Sequence, residues 1–394
     1  MKDLKKNYLG MKMKKIISKI EGEATLKIKG EKVVEWVDIE FWQYRGIEEY
    51  LINRPFMDAL VINPRICGIC GHSHLFATIR AIEDLFNAKI SKKAEILRNI
   101  TLSLEIIQNH IKWFYITLFP TQIKDNKYTF KAVKFSSKIA KAIALIAGQF
   151  PHSSYMIPGG VTCDITNLEI IKLKNLITEI YEEYQREIMD LNLNSSDLKL
   201  FFENLPKEIG KSLNSFLVLG ENAFFKSNGD VNLVSEEKSN SYAKNAYYDA
   251  KCIEVGPLAR MVNDKNIYKI YQEYGDSIYT RITARLYEGV KLLEYILNNI
   301  KNIDLSESSF IDFEYKDGEG VSKIEAPRGS LIHKIEIKDK KITNYNIIVP
   351  TQFNLSSSTP DNPSPAQKAI LGEKVEYVDS IFKCFDICAV CMTH

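Results

Sequence analysis

Two short stretches hold cysteines at a spacing that chelates metal. "RICGICGHSH" (65–74) carries Cys67 and Cys70, and "DICAVCMTH" (386–394) carries Cys388 and Cys391. The turn in a C-x-x-C pair brings both sulfurs to one ion, so two pairs can supply four thiolates. A structural zinc site is one use of such a set, but zinc ribbons place their pairs ~15–20 residues apart in one small module. A disulfide redox pair is another, and it belongs beside a βαβ unit, whose alternation neither flank shows. Soft thiolates also suit nickel and iron. One four-cysteine metal site is the expectation. Of the seven cysteines, Cys163, Cys252 and Cys384 are isolated and read as small buried residues. An odd count argues against a disulfide framework.

The elements that must position these pairs follow from periodicity. Residues 23–42 alternate in part around "KGEK" and read as a β-hairpin. A short helix precedes Arg54-Pro55, and a helix runs from Gly71 to Asn87. Ser91 can cap the next helix, a largely apolar one running towards Pro120. Further helices are expected over 133–149, 167–191 and 266–300, strands after 310, and a last helix over 366–383. The fold class is α+β and mainly helical: a central bundle of long helices flanked by small antiparallel sheets. It reads as one intertwined domain over 1–394. Within it lie an N-terminal sheet and loop region (18–65), the helical bundle (71–300), a sheet region (310–355) and a C-terminal helix with its metal motif (366–394).

Composition excludes several roles. The chain has 394 residues, 26% of them charged, and a net charge of +2. That balance gives no reason to expect nucleic acid or an anionic membrane as partner. No apolar run reaches the ~18 residues of a membrane span. The basic N-terminus lacks the apolar core and cleavage site of a signal peptide, so a cytoplasmic location is expected.

The two cysteine motifs resemble those of the large subunit of nickel–iron hydrogenases. Other stretches agree in family order: "SKIEGEATLKI" (18–28), "YRGIEEYLINRP" (44–55), "PGGV" (158–161), "EVGPLARM" (254–261), "EAPRGSL" (325–331) and "IVPTQFN" (348–354). Two positions depart from the family pattern. Ile387 stands where proline is usual, and Glu23 where a histidine follows Glu-Gly. Neither is a metal ligand in the family.

The resemblance implies a Ni–Fe centre. Cys67 and Cys388 would be terminal nickel ligands, Cys70 and Cys391 would bridge nickel and iron, and the iron would carry carbon monoxide and cyanide. H2 is a very weak acid, and heterolysis needs an electrophilic metal pair with a base beside it. Cys388 would take the proton and Glu21 would relay it. Without the family, Glu21 reads as a surface glutamate, and Arg328 as a turn arginine pairing with Glu325. With it, Arg328 is a fixed positive charge above the open metal position. Thr351 would hydrogen-bond a cyanide, with Pro327 and Pro350 as apolar walls. His394, Glu48 and the carbonyl of Ile347 would hold a magnesium ion with waters. His74 would stand behind the bridging sulfur of Cys70. His72 has no assigned role, and His110, His152 and His333 read as packing or loop residues.

No cysteines remain for iron–sulfur clusters. The electrons from H2 would therefore leave through an obligate iron–sulfur small subunit, to ferredoxin or further electron-transfer subunits. The alternative is a regulatory H2 sensor with the same metal site. A quinone-reducing relative of respiratory complex I is disfavoured, because that family has no use for an intact thiolate set. Enzymes of the hydrogenase family are made with an extension that is cut off after the final histidine, and sensors are encoded without one. A reading frame continuing past His394 would favour the enzyme.

Overall fold

The computed structural model describes residues 11–18 (backbone only), 22–220, 224–386 and 388–392. The N-terminal sheet has three antiparallel strands in sequence order: β1 (Met11–Ser18), β2 (Gly22–Lys29) and β3 (Trp36–Glu40). β2 and β3 are the expected hairpin, with Thr25 opposite Glu40 and Lys29 opposite Trp36. β2 buries every second residue, Ala24, Leu26 and Ile28, which is the signature of a half-covered sheet.

Four long helices form the bundle's first part: α1 (Gly71–Phe86), α2 (Lys92–Lys112), α3 (Asn126–Ala147) and α4 (Asn167–Glu187). Ser91 caps α2, its hydroxyl accepting from the Ala94 amide. Thr166 and Glu169 close a reciprocal capping box on α4. α2 is buried nearly all round, as its apolar sequence requires. It runs into a π-helical turn over Trp113–Leu118.

The expected single helix over 266–300 is two, α5 (Lys265–Tyr274) and α6 (Ile278–Ile300). Gly275, at φ 66°, ends the first helix, and tertiary contacts hold the break. The Asp276 carboxylate accepts from the amides of Ser212 and Asn214, and Ser277 caps α6 afresh through the Thr280 amide. Residues 310–317 form no strand. The second sheet begins at β4 (Gly318–Ala326) and continues through β5 (Gly329–Lys338) and β6 (Lys341–Ile348). β4 lies against α1, and Pro327-Arg328 makes the two-residue turn between β4 and β5.

A short α7 (Pro350–Asn354) follows. The expected last helix over 366–383 is also divided, into α8 (Pro365–Ile370), a 3₁₀ turn (Val375–Tyr377) and α9 (Val378–Cys384). Here the backbone leaves the helix to pair with the N-terminal region. Val34 donates to the Glu373 carbonyl, and Gly372 and Val375 donate to Val34 and Lys32. A one-turn helix, α10 (Ala389–Met392), carries Cys391.

Buried ion pairs join the layers. Arg98 on α2, wholly buried, donates to both oxygens of Glu83 on α1 at 3.0 and 2.8 Å and to the carbonyls of Ile157 and Gly160. Removing one partner of such a pair strands the other, so Arg98→Met is expected to cost about 3–5 kcal/mol in urea unfolding.

His110 is the core histidine expected, although its Nδ1 finds no partner among the described residues. It is wholly buried, with Nε2 2.7 Å from Glu288 Oε2. Burial holds its imidazole down at about 4, below the ordinary 6.5, although Glu288 opposes this. The folded state therefore refuses a proton that the unfolded chain takes. The resulting stability is present above pH 6.5 and lost as pH falls from 6.5 to about 4. His110→Gln keeps a donor to Glu288 but does not titrate. Its stability relative to the parent should rise over that window by up to about 1.4 kcal/mol per pH unit, measured by urea unfolding at stepped pH.

Candidate metal centre

The first cysteine pair is set by α1 and α2. Cys70 immediately precedes α1, and two α2 side chains grip the turn. Glu105, wholly buried, accepts from the amides of His72 and Ser73 at 2.9 Å each and from the Ser73 hydroxyl. A carboxylate here answers the unpaired amides of the helix start. Asn109 donates to the Ile69 carbonyl at 2.7 Å. A Cβ at Gly71 would lie 2.1 Å from the Pro64 carbonyl oxygen, so only glycine lets the turn close on that strand of chain. Burial drives the Glu105 carboxyl up to about 8.

The second pair is set from α6 and the π-helical turn. Trp113 donates to the Lys383 carbonyl at 2.8 Å. Arg281 and Arg285 of α6 stack over Phe385 and Trp113, each 4.4 Å from the ring centroid. Arg285 pairs with Asp386, two residues before Cys388. Arg328, from the β4–β5 turn, pairs with the same carboxylate at 2.9 Å and donates to the Asp386 carbonyl at 3.2 Å. Glu325, the partner expected for a simple turn arginine, pairs instead with Arg260 at 3.0 Å.

The four sulfurs meet. Cys67, Cys70, Cys388 and Cys391 are buried, with ligand atoms all within 4.8 Å of one another. Cys67 lies 3.8 Å from Cys388 and Cys70 lies 3.9 Å from Cys391, across 321 residues of chain. Burial pushes the Cys67 thiol up, but hydrogen bonds from Cys388, Cys391 and Cys70 outweigh it and hold it well below the usual thiol value. Bonds to Cys388 and its neighbours drive Cys70 and Cys391 well above theirs. Four thiolates this close cannot all ionise without a cation between them.

Beside the sulfurs lies a small cavity. Its walls include Pro327, Arg328, Pro350, Thr351 and His74 together with Cys388 and Cys391, so residues from four separate motifs converge there. The Thr351 hydroxyl is buried and has no hydrogen-bond partner among the described residues. The resemblance sets His74 behind Cys70; its Nε2 stands 3.7 Å from the sulfur of Cys391, and its Nδ1 is 3.1 Å from His333. Glu48 and Ile347 are neighbours: the carboxylate accepts from the Ile347 amide at 2.7 Å, and also from Lys244 at 2.8 Å. Glu21 and His394 lie outside the described residues.

A family model, "Nickel-dependent hydrogenase", matches residues 45–118 and 221–394. The chain belongs to the nickel-dependent hydrogenase family. It is a hydrogenase large-subunit homologue, an oxidoreductase acting on H2. It is 27% identical over 371 residues to the coenzyme F420 hydrogenase subunit alpha of Methanothermobacter thermautotrophicus, covering 89% of this chain and 85% of that one. It is 24% identical to the periplasmic [NiFeSe] hydrogenase large subunit of Desulfomicrobium baculatum, covering 91% and 88%. The Ni-Fe-Se hydrogenase structure from D. vulgaris Hildenborough superposes with a TM-score of 0.87 over 98% of this chain and 100% of that one, at 22% identity, and so shares the mainly helical α+β fold. No helix among the described residues is long and apolar enough to cross a membrane.

The residues present fit a Ni–Fe group. The donor set is four soft thiolates, and the orphaned Thr351 hydroxyl faces the space beside them. Glu105, Asn109 and Arg285 escape a reading by sequence, because single polar residues on helices give no local sign of what they meet. Glu105 and Asn109, four residues apart on one face of a largely apolar helix, were the available signal. Glu105→Ala would leave two amides and a hydroxyl without their acceptor. It is expected to cost about 1–3 kcal/mol in urea unfolding and to speed amide exchange at His72 and Ser73.

Proposed function

We propose that this chain is the catalytic large subunit of a nickel–iron hydrogenase that cleaves H2 heterolytically and reversibly into protons and electrons. The observation carrying this reading is the buried four-thiol cluster facing a cavity roofed by Arg328. Cys67 and Cys388 would hold nickel, and Cys70 and Cys391 would hold both nickel and iron. When bound, the centre, with carbon monoxide and cyanide on iron, supplies the electrophilic pair at which H2 is polarised.

The protein's part is charge and proton handling. Cys388 takes a proton from H2, and Glu21 carries it away. Arg328 keeps its charge at every working pH, and Asp386 fixes its direction. Thr351 would donate to a cyanide, an apolar wall of Pro327 and Pro350 would exclude water, and His74 would steady Cys391. Glu48, the Ile347 carbonyl and His394 would hold a magnesium ion; the Lys244 ammonium, 2.8 Å from Glu48, would then share or yield that carboxylate. The electrons pass to an obligate iron–sulfur small subunit and on to ferredoxin or further electron-transfer subunits, in the cytoplasm.

The test is metal analysis with an H2-dependent dye assay on the purified complex. Nickel and iron in the chain and dye reduction by H2 are expected. Zinc alone at the cysteines would overturn the metal assignment. A loaded complex without H2-dependent turnover would overturn the enzymatic one. Cys388→Ser is expected to abolish turnover, whereas Glu21→Gln should retain both metals and lose most of the rate.

A further inference from the structure

Arg45 stands outside the roles considered so far. It lies in the loop between β3 and the short helix Ile47–Leu51, on the surface of the chain. Its guanidinium nevertheless reaches both cysteine motifs. Nη1 donates to the carbonyl of Ile66, which precedes Cys67, and at 3.2 Å to the carbonyl of Val390, which precedes Cys391. Nη2 donates to the Arg65 carbonyl at 3.2 Å. One planar fork therefore spans two segments whose sequence separation exceeds three hundred residues.

The bond to Val390 answers a specific weakness. α10 has four residues, so it is a single turn, and such a turn is too short to hold itself. Among the described residues Arg45 is a donor to the Val390 oxygen, and it comes from outside the turn. The turn is also close-packed against the start of β2: a Cβ at Gly22 would lie 3.1 Å from both the Ala389 Cβ and a Val390 methyl. The β2 start thus presses on α10 while Arg45 ties it to the first motif. A lysine could not copy this, since one ammonium cannot address three carbonyls in a plane.

We propose that Arg45 is a positioning residue that staples the two cysteine motifs together and sets the spacing of their thiolates. This rests on the metal-site reading above only for the nickel readout.

The experiment compares the parent, Arg45→Met and Arg45→Lys in the full complex. Amide exchange over 388–392, the nickel paramagnetic resonance signal and the urea midpoint are read together. In Arg45→Met, exchange over 388–392 should quicken about tenfold or more, and the nickel signal should shift or split, with the urea midpoint little changed. Arg45→Lys should fall between the two. Unchanged exchange and an unchanged nickel signal in Arg45→Met overturn the proposal. Should Arg45→Met fail to fold, Arg45→Lys decides, and parent-like exchange and signal there overturn it equally. A chain without nickel whose exchange still quickens would leave the staple standing and defeat the hydrogenase centre instead.

Discussion

Four thiols drawn from segments 321 residues apart must occupy a volume a few ångströms across, and that demand organises the molecule. The entropy of closing so long a loop is modest, because it grows only with the logarithm of length. The electrostatic demand is the harder one. Thiolates in an apolar interior repel one another and lose their water, so the protein must surround them with fixed donors and positive charge before a metal can settle. Each motif is accordingly held at its backbone as well as its sulfurs. Glu105 and Asn109 grip the first, and Asp386, clasped by two arginines, leads the second.

Helix α6 carries much of this arrangement on one face. Arg281, Arg285 and Glu288 recur at roughly helical spacing and are all buried. Arg281 pairs with Glu254, Arg285 with Asp386, and Glu288 with both Arg260 and His110. Burial pushes the Glu288 carboxyl up, but Arg260 and His110 outweigh it and hold it at about 2. Arg260 in turn reaches Glu325, two residues before the turn that bears Arg328. The roof of the cavity and the last cysteine motif are thus braced from one helix. Two guanidiniums on one Asp386 carboxylate leave a net positive charge near the thiols, which suits an anionic metal centre better than a neutral pair would.

The elements that departed from their sequence periodicity did so where tertiary bonds outbid the helix. The run over 266–300 is apolar at helical spacing throughout, yet Asp276 finds two amides on another segment and the chain breaks there. The run over 366–383 breaks where Gly372 and Glu373 pair with Val34. Local propensity is worth tenths of a kcal/mol per residue, and a few buried hydrogen bonds exceed that. Where no such competitor exists, the sequence signals hold: Ser91 caps α2 and the 23–42 hairpin pairs in register.

By itself the sequence determined the donor chemistry. Two C-x-x-C pairs, and the order of six further short motifs, are local patterns, and local patterns survive without a fold. It also determined the fold class, because helical periodicity and turn residues are read a few positions at a time. Only the tertiary structure decided which charges meet. Nothing near Arg328 in the chain says that Asp386 rather than Glu325 receives it, nor that Glu105 closes the start of α1. Those pairings depend on distances between segments far apart in sequence, and a buried charge takes whichever partner the packing brings within reach.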